Sequence, residues 1–562
     1  MTDDALPEPD WPRPWLAVHE RLGVTMPPLD DTPLGAVCER HAGERPGAPA
    51  LLFAGHAISY AALNEVADRL ADGLSAGGIG RGDVVGIHLP NVPQYAVTLI
   101  AASKLGAVAS GVSPLLAPPE LSHQLADSRA ACVVTLDALA PALAAMDPVP
   151  EGLRLAVVTA PGDALQPSAA KAPRLGGTTV RSWQDVAAGR NAARPRQTAP
   201  ADPHDTAVIQ YTGGTTGRPK GAELSVRTLM NNPRAFNAAN PYRIGEEVVV
   251  TAFPMFHIAG LSVFVGTMIA GGAFAMIPDP RDTHAYCRIL AAHPPTLMSN
   301  VPALWEMLLA NPDFARADFS RLRLAASGAA PLPRATAKRL SDVIGAGKIA
   351  DAFGMTETGP CYTFHPPAVR KDGAVGLPMP GAEVRIVDTE TGADVPLGAP
   401  GEIATAGPQV MLGYLGLPEE SARALREHAG RRWMHSGDVG SMDEEGYITL
   451  HDRAKDMLIV GGFKVFSVEV EDHLRSLDTV EACAVVGRPD EDRPGNDVVH
   501  LFVQAAPAGR ERGQALADDL TAHIRQTMAP YKVPRAVHLV DAIPLTPVGK
   551  IDKKALRARL TA

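Results

Sequence analysis

Residues 211–221 read Tyr211-Thr212-Gly213-Gly214-Thr215-Thr216-Gly217-Arg218-Pro219-Lys220-Gly221, with four glycines, three threonines, an arginine and a lysine in eleven positions. Many backbone N–H groups, hydroxyls and cations with little side-chain bulk suit a loop that folds over polyphosphate. A flexible turn has the same composition, and this stretch alone leaves both readings standing. It is not a P-loop, which needs Gly, four residues, then Gly-Lys-Ser/Thr, because Lys220 follows Pro219 and precedes Gly221.

Other polar, glycine-bearing stretches each follow a short apolar run. The run 248–251 delivers Phe253-Pro254-Met255-Phe256-His257-Ile258-Ala259-Gly260, 322–326 leads into Ser327-Gly328-Ala329-Ala330, and 349–352 leads into Phe353-Gly354-Met355-Thr356-Glu357. With 296–299 they read as strands whose loops gather at one sheet edge, where α/β ligand sites form. Upstream, 51–53 and 57–58 read as a hairpin around Gly55. Ser59 is then a candidate N-cap for a helix with Leu63, Val66, Ala67 and Leu70 on one face, ending near Gly77-Gly78. A strand at 84–89 and a helix at 95–105 continue the alternation expected of an α/β fold.

Two stretches invite readings that their context removes, and a third carries little. Gly78-Ile79-Gly80-Arg81-Gly82 follows a helix and precedes a strand, the reverse of the dinucleotide-binding order, and reads as a helix stop. Residues 258–278 carry no charge, but Gly271-Gly272 divides them into a buried helix and a buried strand rather than a membrane span. Residues 137–205, rich in Ala and Pro, read as loops with one or two short elements.

A chain of 562 residues exceeds the ~250–300 at which a single core stops growing, so at least two domains are expected. Net charge is −10, which argues against nucleic acid as the main partner. Cys38, Cys132, Cys287, Cys361 and Cys483 show no metal spacing and read as free thiols in a reducing compartment. The acidic start, Met1-Thr2-Asp3-Asp4, lacks a signal-peptide pattern, which points to the cytoplasm. Residues 1–32 should wrap the surface, anchored by Trp11, Trp15 and Leu16. Beyond Lys455 the texture becomes that of a compact α+β unit, so the expected domains are 1–454 and 455–562.

The loop at 211–221, Gly354-Met355-Thr356-Glu357, Ser436-Gly437-Asp438, Asp452-Arg453-Ala454-Lys455-Asp456 and Pro547-Val548-Gly549-Lys550, in this order, resemble the adenylate-forming superfamily of acyl-CoA synthetases, luciferases and peptide-synthetase adenylation domains. The resemblance extends from about residue 32 to Lys553. It implies a large multi-sheet α/β N-terminal domain and a small mobile α+β C-terminal domain. The implied chemistry is attack of a carboxylate on the α-phosphate of ATP, giving acyl-adenylate and pyrophosphate, then transfer to a thiol with release of AMP. Catalysis of that kind rests on placed cations and backbone donors.

By the same resemblance, Thr212, Gly213, Gly214, Thr215, Thr216, Gly217 and Lys220 hold the β- and γ-phosphates. Thr215 and Glu357 contact Mg²⁺, and Thr356 contacts the α-phosphate. Gly328, Ala329 and Ala330 flank adenine together with Asp351, Ala352, Gly354 and Met355. Phe353 stands where relatives have a stacking tyrosine, and keeps the ring face. Asp438 and Arg453 hold the ribose. Lys550 bridges the carboxylate and the α-phosphate, Lys455 is the hinge, and Gly461, Gly462, Phe463 and Lys464 meet CoA.

The acyl pocket is expected among Met255, Phe256, His257, Gly260 and Asn300, an apolar set without a basic partner for a second carboxylate. His257 is a candidate to gate this pocket or contact the substrate carboxylate, and also a candidate packed core histidine. Arg13-Pro14-Trp15-Leu16 and Gly213 in place of serine look most like bacterial long-chain fatty-acid CoA ligases. Ser467, where relatives have proline, and Asn496-Asp497, where they have Gly-Glu, leave the thiol acceptor open between CoA and a carrier protein. A short-chain or aryl acid, a homodimer and peripheral contact with a membrane also stay open.

Overall fold

The computed structural model describes residues 11–561 except 165–174, 189–196, 213–218, 329–331, 462, 476, 491–492, 494–495 and 546–550, and for Ala368 and Lys464 the backbone alone. A nine-stranded sheet has six parallel strands, Pro49–Phe53, Ala273–Met276, Val248–Thr251, Leu297–Asn300, Leu324–Ser327 and Ile349–Gly354, in that spatial order. Antiparallel His56–Ser59 flanks it at one edge, with Cys361–Phe364 and Leu377–Pro378 at the other. An eight-stranded sheet runs Gly413–Tyr414, Gly221–Ser225, Thr206–Tyr211, Val108–Gly111, Val84–His88, Ala130–Leu136, Leu155–Thr159 and Thr179–Ser182. Its last six strands are parallel and its first two pair antiparallel.

The parallel strands are continuous apolar runs because helices cover both faces; every residue of Ala130–Leu136 is buried. Helices Tyr60–Ala76, Pro93–Leu105 and Ile258–Ile269 bring Leu70, Ile100 and Phe264 into one core with Val85 and Val249, so they fill the space between the two sheets. The expected cap is present: Ser59 Oγ accepts from Ala62 N at 3.2 Å. The uncharged stretch resolves into helix Ile258–Ile269 and strand Ala273–Met276, and among the described residues no helix is long and apolar enough to cross a membrane.

A third, antiparallel sheet contains Glu383–Val387, Gly401–Ala406, Arg431–Met442, Leu425–His428 and Ile448–Arg453. Trp11 packs edge-on against Trp433 with ring centroids 5.0 Å apart, and Trp15 is buried. Leu16 is not the expected anchor. It is 45% exposed, because the segment forms helix Trp15–Leu22 and one residue further on the side chain turns away from the surface that Trp15 covers.

From Leu458 onward a hairpin, Leu458–Val460 with Phe463–Val465, precedes a three-stranded sheet of Val480–Pro489, Asp497–Ala505 and Ala536–Val540. Helices Ser467–Arg475 and Gln514–Thr527 cover one face, where Leu458, Val485, Leu501 and Leu520 share a separate core. Helix Lys553–Thr561 covers the other through Leu556.

Candidate active site

The loop first singled out joins two strands of the second sheet. Tyr211 lies opposite Gly221, and Thr212 N donates to Lys220 O at 2.9 Å, so both loop ends are pinned at the sheet edge. Gly213, Gly214, Thr215, Thr216 and Gly217 lie outside the described residues. Lys220 Nζ is 2.6 Å from Glu420 Oε2 on helix Pro418–Ala424 and 4.9 Å from the centroid of the Tyr414 ring. The Lys220 ammonium holds the Glu420 carboxyl below the usual carboxylate range.

Glu357 comes from the first sheet, in the turn Thr356–Thr358 just beyond strand Ile349–Gly354, and is buried with Thr356. The Tyr414 hydroxyl donates to Glu357 Oε1 at 2.7 Å. Burial, with the Glu357 charge beside it, pushes the Tyr414 hydroxyl upward, so it stays a neutral donor. Backbone bonds join the same pieces: Met411 N to Glu357 O at 2.9 Å, Leu412 N to Glu223 O at 2.8 Å and Leu415 N to Gly221 O at 2.8 Å. The cradle base and the Thr-Glu turn, far apart in sequence, therefore meet through residues 411–415.

Among the described residues no cluster of three or more His, Cys, Asp or Glu is arranged to hold a metal. One carboxylate beside a phosphate-directed lysine is nevertheless what Mg²⁺ requires, since it keeps waters and substrate phosphate oxygens as its other ligands. Glu357, with Oε1 held by Tyr414, would offer Oε2 for that role.

The proposed ribose pair is formed. Asp438 lies opposite Arg453 in the antiparallel register, and Arg453 Nε is 2.6 Å from Asp438 Oδ1. Asp438 is buried while Arg453 is exposed, so the pair presents its cationic end outward. Among the residues expected to flank adenine, Gly328 N donates to Asn300 O at 3.4 Å, while Ala329 and Ala330 lie outside the described residues. Ala352 and Phe353 pair with Phe364 and Thr363, and the Phe353 ring meets Tyr362 at 5.5 Å and 74°, which sets its orientation. Gly354 has no room for a side chain, and Met355 N is held by Thr358 Oγ1 at 3.1 Å. Asp351 is engaged by Arg370 at 3.0 Å, and its carboxyl is nevertheless raised by burial.

The residues expected to line an acyl pocket divide. Met255 and Asn300 are fully buried; Asn300 Nδ2 donates to the Tyr286 hydroxyl at 2.9 Å and its Oδ1 accepts from Ala252 N at 3.3 Å. Gly260 lies where an added Cβ would come within 2.2 Å of Pro254 O, a helix-to-loop contact rather than a cavity wall. All three are closely packed, and the neighbouring loop 253–257 is bolted down. Asn91 brackets it through Phe253 O at 2.9 Å and Met255 N at 2.8 Å, Tyr95 holds Met255 O at 2.8 Å, and Gln210 holds Phe256 O. Phe256 and His257 remain partly exposed, with the His257 ring accepting from Ala259 N at 3.3 Å as the helix cap.

Lys455 is exposed in the turn 454–456, flanked by Ala454 N to Gly437 O and Asp456 N to Arg453 O, both 2.9 Å. Asp456 pairs with Arg557 of the last helix at 2.5 Å. Gly461 adopts φ +60° and donates to Asn496 Oδ1 at 2.7 Å, and Asp497 accepts from Ile459 N at 2.9 Å. Asn496 and Asp497 thus hold the hairpin Leu458–Val460 with Phe463–Val465 in shape. Phe463 is 56% exposed and stacks on Tyr531 at 4.6 Å. Gly462, the Lys464 side chain and Lys550 lie outside the described residues.

Sequence reasoning missed Tyr414, Glu420, Tyr95, Gln210 and Asn91. Asn91 follows a buried strand at the edge where ligand loops gather, a signal that could have found it. The others act through partners distant in sequence and carry no local mark.

Family comparison agrees with this geometry. The family model described as AMP-binding enzyme matches residues 38–415, and that of the AMP-binding enzyme C-terminal domain matches 469–550. The chain is 34% identical to a long-chain-fatty-acid–CoA ligase of Yersinia pestis, over 91% of both chains. It is 35% identical to a feruloyl-CoA synthase of an Amycolatopsis species, over 94% of this chain and 99% of that one. The anthranilate CoA ligase AuaEII, solved in complex with anthranoyl-AMP, superposes with a TM-score of 0.81 at 25% identity, covering 95% of this chain and 98% of that one. With the family matched over more than half its length, and the two charged halves of the site joined at residues 411–415, the chain belongs to the AMP-binding enzyme family and is an ATP-dependent acid–thiol ligase.

Proposed function

We propose that the protein activates a medium- to long-chain fatty acid through its acyl-adenylate and transfers the acyl group to CoA, acting in the cytoplasm. The observation that carries the ATP half is the meeting of Lys220 and Glu357 at Tyr414, a cation and a carboxylate from different sheets within reach of one triphosphate. When bound, Mg²⁺ would neutralise phosphate charge. Lys220 would offset charge building on the leaving pyrophosphate, and Thr356 would orient the α-phosphate. Asp438 and Arg453 would fix the ribose, while Phe353 presents its ring to the base.

Lys550 would offset the repulsion between the acid and the α-phosphate during attack. Rotation of 455–562 relative to 1–454 about Lys455 would then bring the Gly461 hairpin to the thiol. The preference for a fatty acid rests on the identity to curated long-chain ligases and on the apolar surroundings of Phe256. An aryl acid is the second reading, favoured by the comparable identity, 35%, to feruloyl-CoA synthase.

AMP release with ATP, Mg²⁺ and CoA, measured for straight-chain acids from acetate to octadecanoate and for ferulate and anthranilate, separates these readings. The highest kcat/KM should fall on a medium or long straight chain. A maximum at ferulate or anthranilate would replace the fatty-acid assignment, and acid activation without CoA-dependent AMP release would point to a carrier-protein acceptor.

A further inference from the structure

We propose that Tyr414 is a positioning residue that sets the cation affinity of the active site by holding Glu357, while its ring keeps Lys220 on the same side of the triphosphate. The inference rests on the assignment of Glu357 to Mg²⁺ made above.

Tyr414 is held on every side. Its backbone pairs with Ala222 in the strand that ends the cradle, and its N–H donates to Ser421 Oγ at 2.8 Å. Its neighbour Leu415 donates to Gly221 O at 2.8 Å, and Met411 to Glu357 O at 2.9 Å. With the backbone fixed from both sheets, the side chain has little freedom to search. Its hydroxyl lies 2.7 Å from Glu357 Oε1 and its ring face 4.9 Å from Lys220 Nζ. A tyrosine can do both jobs because its edge is a polar donor and its face attracts a cation. Phenylalanine would keep the second and lose the first.

The hydroxyl fixes one carboxylate oxygen and thereby orients the other. An unheld Glu357 would have to be ordered each time a cation bound, and one buried oxygen would lack its donor. Groups that hydrogen-bond a metal-ligating carboxylate typically alter metal affinity by about 10–100-fold when removed. The position of Glu420 distinguishes the two functions of the ring and hydroxyl. Glu420 engages Lys220 at 2.6 Å, so Glu420→Gln perturbs the lysine and leaves the Tyr414–Glu357 bond intact.

The test measures Mn²⁺ affinity of the enzyme–ATP complex by water-proton relaxation, with no turnover required. Tyr414→Phe should weaken Mn²⁺ binding about tenfold while the KM for ATP at saturating Mg²⁺ stays within about twofold of wild type. Glu420→Gln should leave Mn²⁺ affinity unchanged. Glu357→Gln is run alongside. If Glu357→Gln weakens Mn²⁺ binding and Tyr414→Phe does not, the role of Tyr414 is refuted while the metal assignment stands. If neither weakens it, both fall. Circular dichroism and the unfolding midpoint of Tyr414→Phe accompany the titration. A folded variant with wild-type cation affinity overturns the proposal. Should Tyr414→Phe fail to fold, Tyr414→Trp, which offers an N–H donor on a ring, must retain more Mn²⁺ affinity than Tyr414→Leu, and equal affinities overturn it.

Discussion

Gly354→Ala should damage the site without touching any charged group. An ideal Cβ at Gly354 would stand 2.0 Å from Pro360 O and 2.8 Å from Cys361 Cα, both backbone atoms. Ordinary contact begins at 3.4 Å, so the two segments must part by about 1.4 Å, the difference between 3.4 and 2.0. No flexible side chain can yield instead. Pro360 O also accepts from Thr358 Oγ1 at 2.8 Å, so the movement is passed to the turn Thr356–Thr358 and hence to Glu357. Overpacking of this kind costs about 1–3 kcal/mol in stability, and a displacement of ~1 Å at reacting groups can cost about a hundredfold in rate.

Thermal unfolding and acid-dependent ATP–pyrophosphate exchange read the two effects separately. Gly354→Ala should unfold at a lower temperature and lose about a hundredfold in exchange. Gly328→Ala, whose Cβ would meet Ala352 O at an ordinary 3.4 Å, should unfold at the wild-type temperature. A Gly354→Ala enzyme with wild-type midpoint and exchange would refute the argument from space.

Asp438→Ala removes the buried carboxylate that holds Arg453 and should raise the KM for ATP by about 10–100-fold, corresponding to one or two charge-assisted hydrogen bonds; an unchanged KM would remove Asp438 from the ribose site. Lys455→Pro should preserve adenylation, read as pyrophosphate release, and slow thioester formation, because proline would fix φ in the turn proposed as the hinge; equal loss in both steps would end the hinge reading. Burial pushes the rings of His19, His88 and His365 down to about 4, from 6.5 when unfolded. As pH falls from 6.5 toward 4 the unfolded chain takes up these protons first, so stability present above pH 6.5 is lost across that window. The unfolding midpoint should drop accordingly, with a shallower drop in His88→Gln, and an identical slope in that variant would exclude His88 as a contributor.

The fold was legible where one local rule governed a segment. Ser59 caps the helix Tyr60–Ala76, and the apolar runs that end in glycine-bearing loops became parallel strands of one sheet. Of the charged residues singled out, Asp438 and Arg453 do pair, and Glu357 and Lys220 meet on opposite parts of Tyr414. Pocket residues were harder, because residue type alone does not separate a cavity wall from a packed core. Met255 and Asn300 read as pocket residues and are fully buried. Tyr414, Glu420 and Gln210 could not be read at all, since each works on a partner brought near only by sheet pairing or by the crossing of two sheets. Leu16 failed for a smaller reason: beside Trp15 on a helix, it points outward.

In the proposed reaction the acid is activated by adenylation before the thiol is used. Wild-type enzyme mixed with ATP, Mg²⁺ and a long-chain fatty acid in the absence of CoA should release a burst of pyrophosphate equimolar with enzyme, and AMP should appear only when CoA is added. Release of ADP and phosphate, or pyrophosphate formation that does not depend on the acid, would contradict it.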